Sequence, residues 1–210
     1  GSRATGNGAG RWLVAGPTWH AAPPAGIDGI LCSETELAVV LVRIQVRDRA
    51  DAEDVARIQG GFAVEPLSAF KGTHASSVPA VDFPPYEGER AQGLGFLGYL
   101  GFLLRFCPTH PSEVDLREHL ASIGVAPDLA FDPAALPPEL AGALERGLSA
   151  GRAAVAERIA SGAPLVFGSR EVLANDYLAR ATAAQAGIFG NSREEALYTL
   201  LSTDAEGRPL

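Results

Sequence analysis

Leu37-Ala-Val-Val-Leu-Val-Arg-Ile-Gln-Val46 is the stretch on which a reading of the fold turns. Its β-branched residues are stiff in a helix and pack well on a pleated surface, so the run predicts a buried strand. Arg43, Gln45 and Arg47 alternate at its far end, as on a strand with one face leaving the core. Upstream, Arg11-Trp-Leu-Val-Ala15 alternates in the same way and breaks at Gly16-Pro17, which predicts a strand entering a turn. Gly1 to His20 as a whole reads as a strand with its turns, met in mid-domain. Asp28-Gly29 is a second turn signal between Ile27 and Ile30-Leu31-Cys32, and Phe62 to Leu67 predicts a further strand that Pro66 interrupts. These segments together predict a β-rich region over residues 1–70.

Working outward from there, the chain turns helical. Asp51-Ala-Glu-Asp54 predicts a short helix to about Ile58, with Asp51 capping free N–H groups, and Gly60-Gly61 stops it. Ser68 to Arg90 is polar and proline-bearing, too long for an ordinary connection, and reads as a lid or a packed irregular loop. Gln92 to Phe106 is apolar and dotted with glycine. Ser112, with Asp115 three residues on, predicts a capping-box start for a helix that carries Leu116, Leu120 and Ile123 and ends at Gly124. Pro137-Pro138 opens a longer helix whose Leu140, Leu144, Leu148, Val155 and Ile159 form one stripe, ending near Gly162. Another helix is predicted over Tyr177 to Gly187, and Thr203-Asp-Ala-Glu-Gly207 reads as a hairpin turn just after a strand start.

Bulk properties narrow the classes of function. The 210 residues are 47% hydrophobic and 20% charged, enough to bury a core, while 15 Pro and 24 Gly imply many turns. A net charge of −8, with Lys71 the only lysine, argues against a nucleic-acid partner or an anionic membrane surface. Leu94 to Leu104 is too short to cross a bilayer, so no transmembrane segment is expected, and no signal peptide is visible. Cys32 and Cys107 permit one disulfide, but spacing alone does not bring their Cα atoms together, and two free thiols are the plainer expectation.

Gly93-Leu-Gly95-Phe-Leu-Gly98 fits a dinucleotide-binding fingerprint, but the preceding Pro84-to-Arg90 stretch is a polar loop and not a strand. Tight helix packing is the expected use of these glycines, and no cofactor is expected. His20, His74, His110 and His119 show no metal-ligand spacing, so no metal is expected. Trp12, Trp19 and His20, around a Gly-Pro turn, are candidate ligand-binding residues that could offer an aromatic platform to a glycan or lipid-like ligand; the plainer alternative makes both tryptophans core anchors. Arg43 completes this candidate set, because a cation inside an apolar strand must pair with a carboxylate, reach water or meet an anionic ligand. Asp82, Glu87 and Glu89 are the carboxylates a glycoside-cleaving chemistry could recruit, though any acidic chain supplies such candidates. No serine-hydrolase elbow or phosphate-binding loop is present in the sequence.

Several stretches carry a family resemblance. Gly1-Ser-Arg-Ala-Thr-Gly-Asn7, Ala15-Gly-Pro-Thr-Trp19, Pro24-Ala-Gly26, Glu34-Thr35, Leu41-Val-Arg43, the Asp51 to Gln59 helix and Pro66-Leu-Ser68 resemble domain of unknown function 1254. Cys107-Pro-Thr-His-Pro111, Gly124-Val-Ala-Pro-Asp128 and Phe131-Asp-Pro133 continue the likeness. Tyr177-Leu-Ala-Arg180, Gly187-Ile-Phe-Gly-Asn191, Glu195-Ala-Leu-Tyr198 and Asp204 to Leu210 resemble the opening of domain of unknown function 1214. The resemblance covers nearly the whole chain and implies β-rich modules of sandwich or jelly-roll type joined by helices, in bacterial proteins apt to be exported and to oligomerise. It brings no reaction with it.

The expectation is therefore an α+β chain in three parts. A β-rich sandwich or jelly-roll-like part covers residues 1–70, an irregular loop and helical connector residues 71–190, and the first strand of a truncated second β domain residues 191–210. Both ends read as severed sheets, which implies a fragment, a processed chain or a subunit. The expected partner is a further copy in a homo-oligomer or a second polypeptide that completes the β-sheets. The resemblance points to a periplasmic or secreted protein. A non-catalytic binding or assembly module is the expected function, and a hydrolase or lyase acting on a carbohydrate-like substrate is the alternative.

Overall fold

The computed structural model describes residues 8–42, 44–75, 77, 80–161, 173–187, 190 and 208. Among them only two short strands form, β1 (Trp12–Ala15) and β2 (Gly29–Cys32). They pair in parallel with Trp12 opposite Gly29 and Ala15 opposite Cys32. Asp28 sets this register. Its N–H donates to the Arg11 carbonyl at 2.8 Å, and its carboxylate accepts the Arg11 N–H at 2.7 Å. The Asp28-Gly29 signal thus marks a strand entry, not a turn; the turn lies just before it, where Gly26 takes a φ of +84° and Ile27 N–H bonds the Pro24 carbonyl.

The remaining elements are helical. They are α1 (Ala52–Gly60), α2 (Leu67–Phe70), α3 (Gly88–Gln92), α4 (Gly95–Leu104), α5 (Val114–Ser122), α6 (Pro138–Ala160) and α7 (Tyr177–Gly187). The expected β-rich sandwich or jelly-roll part is therefore overturned: the fold is mostly helical with one parallel strand pair. The described residues of 37–46 form no strand, and the backbone of residues 38–42 and 44–46 makes no hydrogen bond to another described residue. Val39 is 75% exposed and Val40 60%. The physical reason is that β-branched composition favours a strand only where a neighbour supplies the ladder. Phe62 to Leu67 fails in the same way: Phe62 and Val64 are exposed, and Pro66 leads into α2. The expected strand of the second β domain falls at residues 191–207, 209 and 210, outside the described residues.

The helical half follows its sequence closely. Leu94, Leu97 and Val125 form the buried centre, and Leu100, Leu104, Leu120, Ile123, Phe131, Leu136, Leu144 and Leu148 pack around it. This joins α4, α5 and the first turns of α6; of the predicted stripe Leu144 and Leu148 take part, while Ile159 at its far end is exposed. Glycines in α4 permit the close approach. A Cβ at Gly101 would sit 3.3 Å from the Ala126 carbonyl oxygen, and one at Gly95 would meet the Arg90 carbonyl oxygen at 2.8 Å. Within the Gly93-to-Gly98 pattern it is Gly95 that is packed tightly, whereas a Cβ at Gly93 would meet nothing within 4 Å. Arg152 of α6 donates to the carbonyls of Ala91, at 3.0 Å, and Gln92, closing the end of α3. The irregular stretch before α3 is packed: Phe83 lies 5.5 Å from the Phe102 ring, and Tyr99 O–H bridges Pro85 and Glu87.

Helix α5 ends on Gly124 at φ +86°, which lets Val125 N–H return to the Leu120 carbonyl at 2.9 Å and buries Val125 to 1% exposure. Gly147, by contrast, lies inside α6 with open space where a Cβ would stand. Gly124→Ala is expected to lower stability by about 1 kcal/mol through left-handed strain. Gly147→Ala should raise it by roughly 0.5–1 kcal/mol. Urea unfolding midpoints of the two variants, displaced in opposite directions from the parent, check this pair.

Candidate functional site

Trp12, Trp19 and His20 come from β1 and the turn that follows it, where Trp19 N–H bonds the Gly16 carbonyl at 3.1 Å. Trp12 lies flat over Gly29 on the facing strand, so close that a Cβ there would meet its ring at 2.4 Å. Trp19 is half-buried and donates its indole N–H to the Ala21 carbonyl at 2.8 Å. His20 is exposed, and among the described residues no ring stacking joins the three. They thus share a neighbourhood in sequence, with both indoles engaged by the local backbone. Arg43 lies outside the described residues.

The open cleft in the fold lies elsewhere. It encloses about 630 Å³ and is lined by Glu34, from the segment after β2, by Pro108 to Ser112 and by Ala174 and Asn175. His110 positions its floor. The Ser112 N–H donates to His110 Nδ1 at 3.2 Å, so His110, and not Ser112 as the capping-box reading has it, caps the turn Pro111–Glu113. Ser112 Oγ stands 2.8 Å from the same Nδ1 and 3.1 Å from Asn175 Oδ1, which joins the turn to the residues leading into α7. An Nδ1 that accepts a backbone N–H carries no proton, so the neutral ring holds its proton on Nε2. Nothing among the described residues bonds that Nε2. Ala174 takes a φ of +46°, the one positive φ outside glycine among the described residues, at a cost of roughly 1 kcal/mol.

Behind the cleft, Glu113 is buried to 7% exposure and receives Arg180 Nη1 at 3.3 Å, while Arg180 also lies over the Tyr177 ring. Cys107 leads into the same turn, and its carbonyl accepts Arg117 at 3.2 Å. Burial pushes the Cys107 thiol above its ordinary range, opposed by the Arg117 charge and assisted by Glu113 and Glu36. Cys32 and Cys107 are both free thiols. Asp82, Glu87 and Glu89 are exposed, and none of them lines the cleft. Among the described residues no group of three metal-ligating side chains gathers, and no helix is long and apolar enough to cross a membrane.

A mostly helical fold with a small parallel strand pair and an open cleft defines the class of protein. Residues 1–66 match the family described as Protein of unknown function (DUF1254), the family the opening motifs resemble. The match stops at 66, so the likeness to domain of unknown function 1214 remains an expectation for the end of the chain. No curated protein matches. The crystal structure of the VPA0106 protein from Vibrio parahaemolyticus is similar in fold over all of this chain, at 20% identity and a TM-score of 0.73. This chain spans 51% of the length of that protein.

The raised Cys107 pKa has a readable sign. A thiol that holds its proton to higher pH presents less thiolate near neutrality and reacts more slowly. Iodoacetamide alkylation of Cys107, followed by peptide mass spectrometry, is expected to lag that of free cysteine. Its rate should rise along a pH profile displaced to higher pH, and the displacement should vanish in denaturant.

Proposed function

We propose that this chain is a non-catalytic binding and assembly module, completed by polypeptide that pairs along residues 37–46. The observation that carries this reading is the state of that segment. Leu37, Val39, Val40, Leu41, Val42 and Val46 are all exposed, and the backbone of residues 38–42 and 44–46 makes no hydrogen bond to another described residue. Each such side chain gains roughly 1.5–3 kcal/mol on full burial, and an unpaired extended backbone is a template for another strand. The strand pair supports the same view, since two strands alone are marginal in water and Val14 and Leu31 remain exposed on them. That the chain spans about half the length of the structurally similar Vibrio protein is consistent with partner strands supplied from outside these residues.

The test uses the 210-residue chain alone, where a second copy is the available strand donor. Sedimentation velocity over a concentration series is expected to show self-association, with amide exchange slowed at residues 38–46 as the assembly grows. Val40→Lys with Val42→Lys should abolish both, because edge lysines oppose strand addition. A parent chain that stays monomeric with freely exchanging amides at 38–46 would sink the reading.

A further inference from the structure

Helix α4 is apolar all the way round: Gly95–Leu104 holds no charged residue. Leu97, Gly101 and Leu104 turn toward the core. At about 3.6 residues per turn the opposite face carries Phe96, Tyr99, Phe102, Leu103 and, just past the helix end, Phe106. A helix apolar on every side is ordinarily enclosed, yet Phe96 and Leu103 are exposed. Phe83 and Tyr86, from the stretch before α3, widen this face. Phe83 stacks on Phe106 with ring centres 6.1 Å apart, and the Tyr86 and Tyr99 rings stand 5.9 Å apart. Phe83 is itself exposed, and Tyr86 is exposed to 78%. Exposed apolar residues scattered singly are ordinary, whereas a contiguous group of this kind marks an interaction surface.

Charges of both signs stand at its rim. Arg90 lies 5.2 Å from the centre of the Tyr99 ring and Arg105 5.6 Å from that of Phe102, and neither pairs with a described carboxylate. A guanidinium held on a ring keeps its planar fork of N–H donors for phosphate. Glu87 and Glu89 are exposed next to Tyr86 in the chain, and aromatic rings receive a quaternary ammonium group, which a carboxylate also attracts. Phosphocholine carries that pair of charges, and its lipids add an acyl tail. The centre of the face suits such a tail: the Tyr99 hydroxyl is taken by the Pro85 carbonyl and the Glu87 N–H, which leaves carbon to meet carbon. An anionic lipid supplies the phosphate half alone and meets a chain of net charge −8, whereas a zwitterionic surface has no net charge to repel it.

We infer that the outer face of α4, with Phe83 and Tyr86, docks on the surface of a zwitterionic phosphocholine bilayer. The rings and Leu103 enter the boundary between headgroups and acyl chains, Arg90 and Arg105 meet phosphate, and Glu87 and Glu89 meet the quaternary ammonium. The helix lies in the plane of the interface and does not cross it. The inference does not depend on the assembly reading, since the 37–46 segment is no part of this face.

The test uses the 210-residue chain carrying Val40→Lys and Val42→Lys, so that the exposed 37–46 segment does not itself seek lipid. Flotation with vesicles of dioleoylphosphatidylcholine measures partition, and a phosphatidylcholine with a diazirine in its acyl chain, followed by peptide mass spectrometry, locates the contact. The chain should float with the vesicles and take the label on peptides containing Tyr86 and Phe96 to Phe106. Phe96→Asp with Leu103→Asp, both exposed positions, should lower the partition coefficient about a hundredfold, roughly tenfold for each apolar side chain lost. Arg90→Gln with Arg105→Gln should lower it severalfold, and Ile58→Asp, which removes an exposed apolar residue of α1, should leave it unchanged. Unchanged circular dichroism spectra show that the variants fold, and the label map needs no variant of the face at all. Label concentrated on Trp12 to Trp19 or on residues 37–46 would overturn the assignment to α4. Tighter partition into dioleoylphosphatidylglycerol vesicles than into the phosphatidylcholine would overturn the lipid class. No flotation with phosphatidylcholine vesicles would overturn the proposal altogether.

Discussion

A strand exists only where another strand satisfies its N–H and C=O groups, and that requirement governs this fold more than any side-chain preference. Trp12–Ala15 and Gly29–Cys32 qualify because Asp28 doubly clasps the Arg11 backbone and brings the two segments into register. The ladder then runs on by one bond, from Ser33 N–H to the Ala15 carbonyl at 2.8 Å. Beyond that point the chain is passed to the helical half, where Glu36 N–H bonds the Phe106 carbonyl, also at 2.8 Å. Leu37–Val46 follows with the composition of a core strand and, among the described residues, without a paired neighbour. Its apolar surface and its open backbone have the same cause, and one pairing event would relieve both.

The second organising contact is ionic. Glu113 sits in a turn between the end of α4 and α5, where a carboxylate would be costly to bury alone. Arg180 reaches it from α7 across 67 positions of sequence, and Tyr177 holds the guanidinium from its ring face. A buried pair of this kind contributes more to specificity of docking than to net stability, because desolvation offsets much of the attraction. Ser112 and Asn175 make a second, neutral link between the same two regions. Together they seat the start of α7 against the turn, and the cleft wall is a product of that seating.

What could be read from the sequence divides along the same line. Helices announce themselves locally: the leucine spacing of α6, the Tyr177–Gly187 helix and the Gly124 stop were all legible, because a helix closes its hydrogen bonds within itself. Gly95 and Gly101 of α4 are packing residues, the use expected of the helix's glycines once no strand could be placed before them. Strands announce only a tendency, and the apolar runs at 37–46 and 62–67 expressed it without the ladder that would realise it. The cleft was less legible still. Glu34, His110 and Asn175 are far apart in the chain, and the His110 cap occupies a position where Ser112 carries the stronger capping signal. Trp12, Trp19 and His20 carry the plainer sequence signal; in the structure Trp12 covers a glycine and the Trp19 indole is engaged by Ala21.

The position of Glu34 ties the two halves of the molecule together. It lies between Ser33, which extends the strand ladder, and Glu36, which bonds the end of α4, so its backbone is held from both sides. Thr35 adds a bond from its hydroxyl to the Leu37 carbonyl at 2.6 Å, which sets the direction in which the 37–46 segment departs. The carboxylate that lines the cleft and the exposed 37–46 segment therefore share one anchored stretch of backbone. A ladder built along 37–46 would extend from residues already fixed against β1 and α4, so its ordering cost would fall on the segment itself and leave the cleft geometry in place. The described cleft lining and the 37–46 segment are thus separate in position, even though only Thr35 and Glu36 divide Glu34 from Leu37.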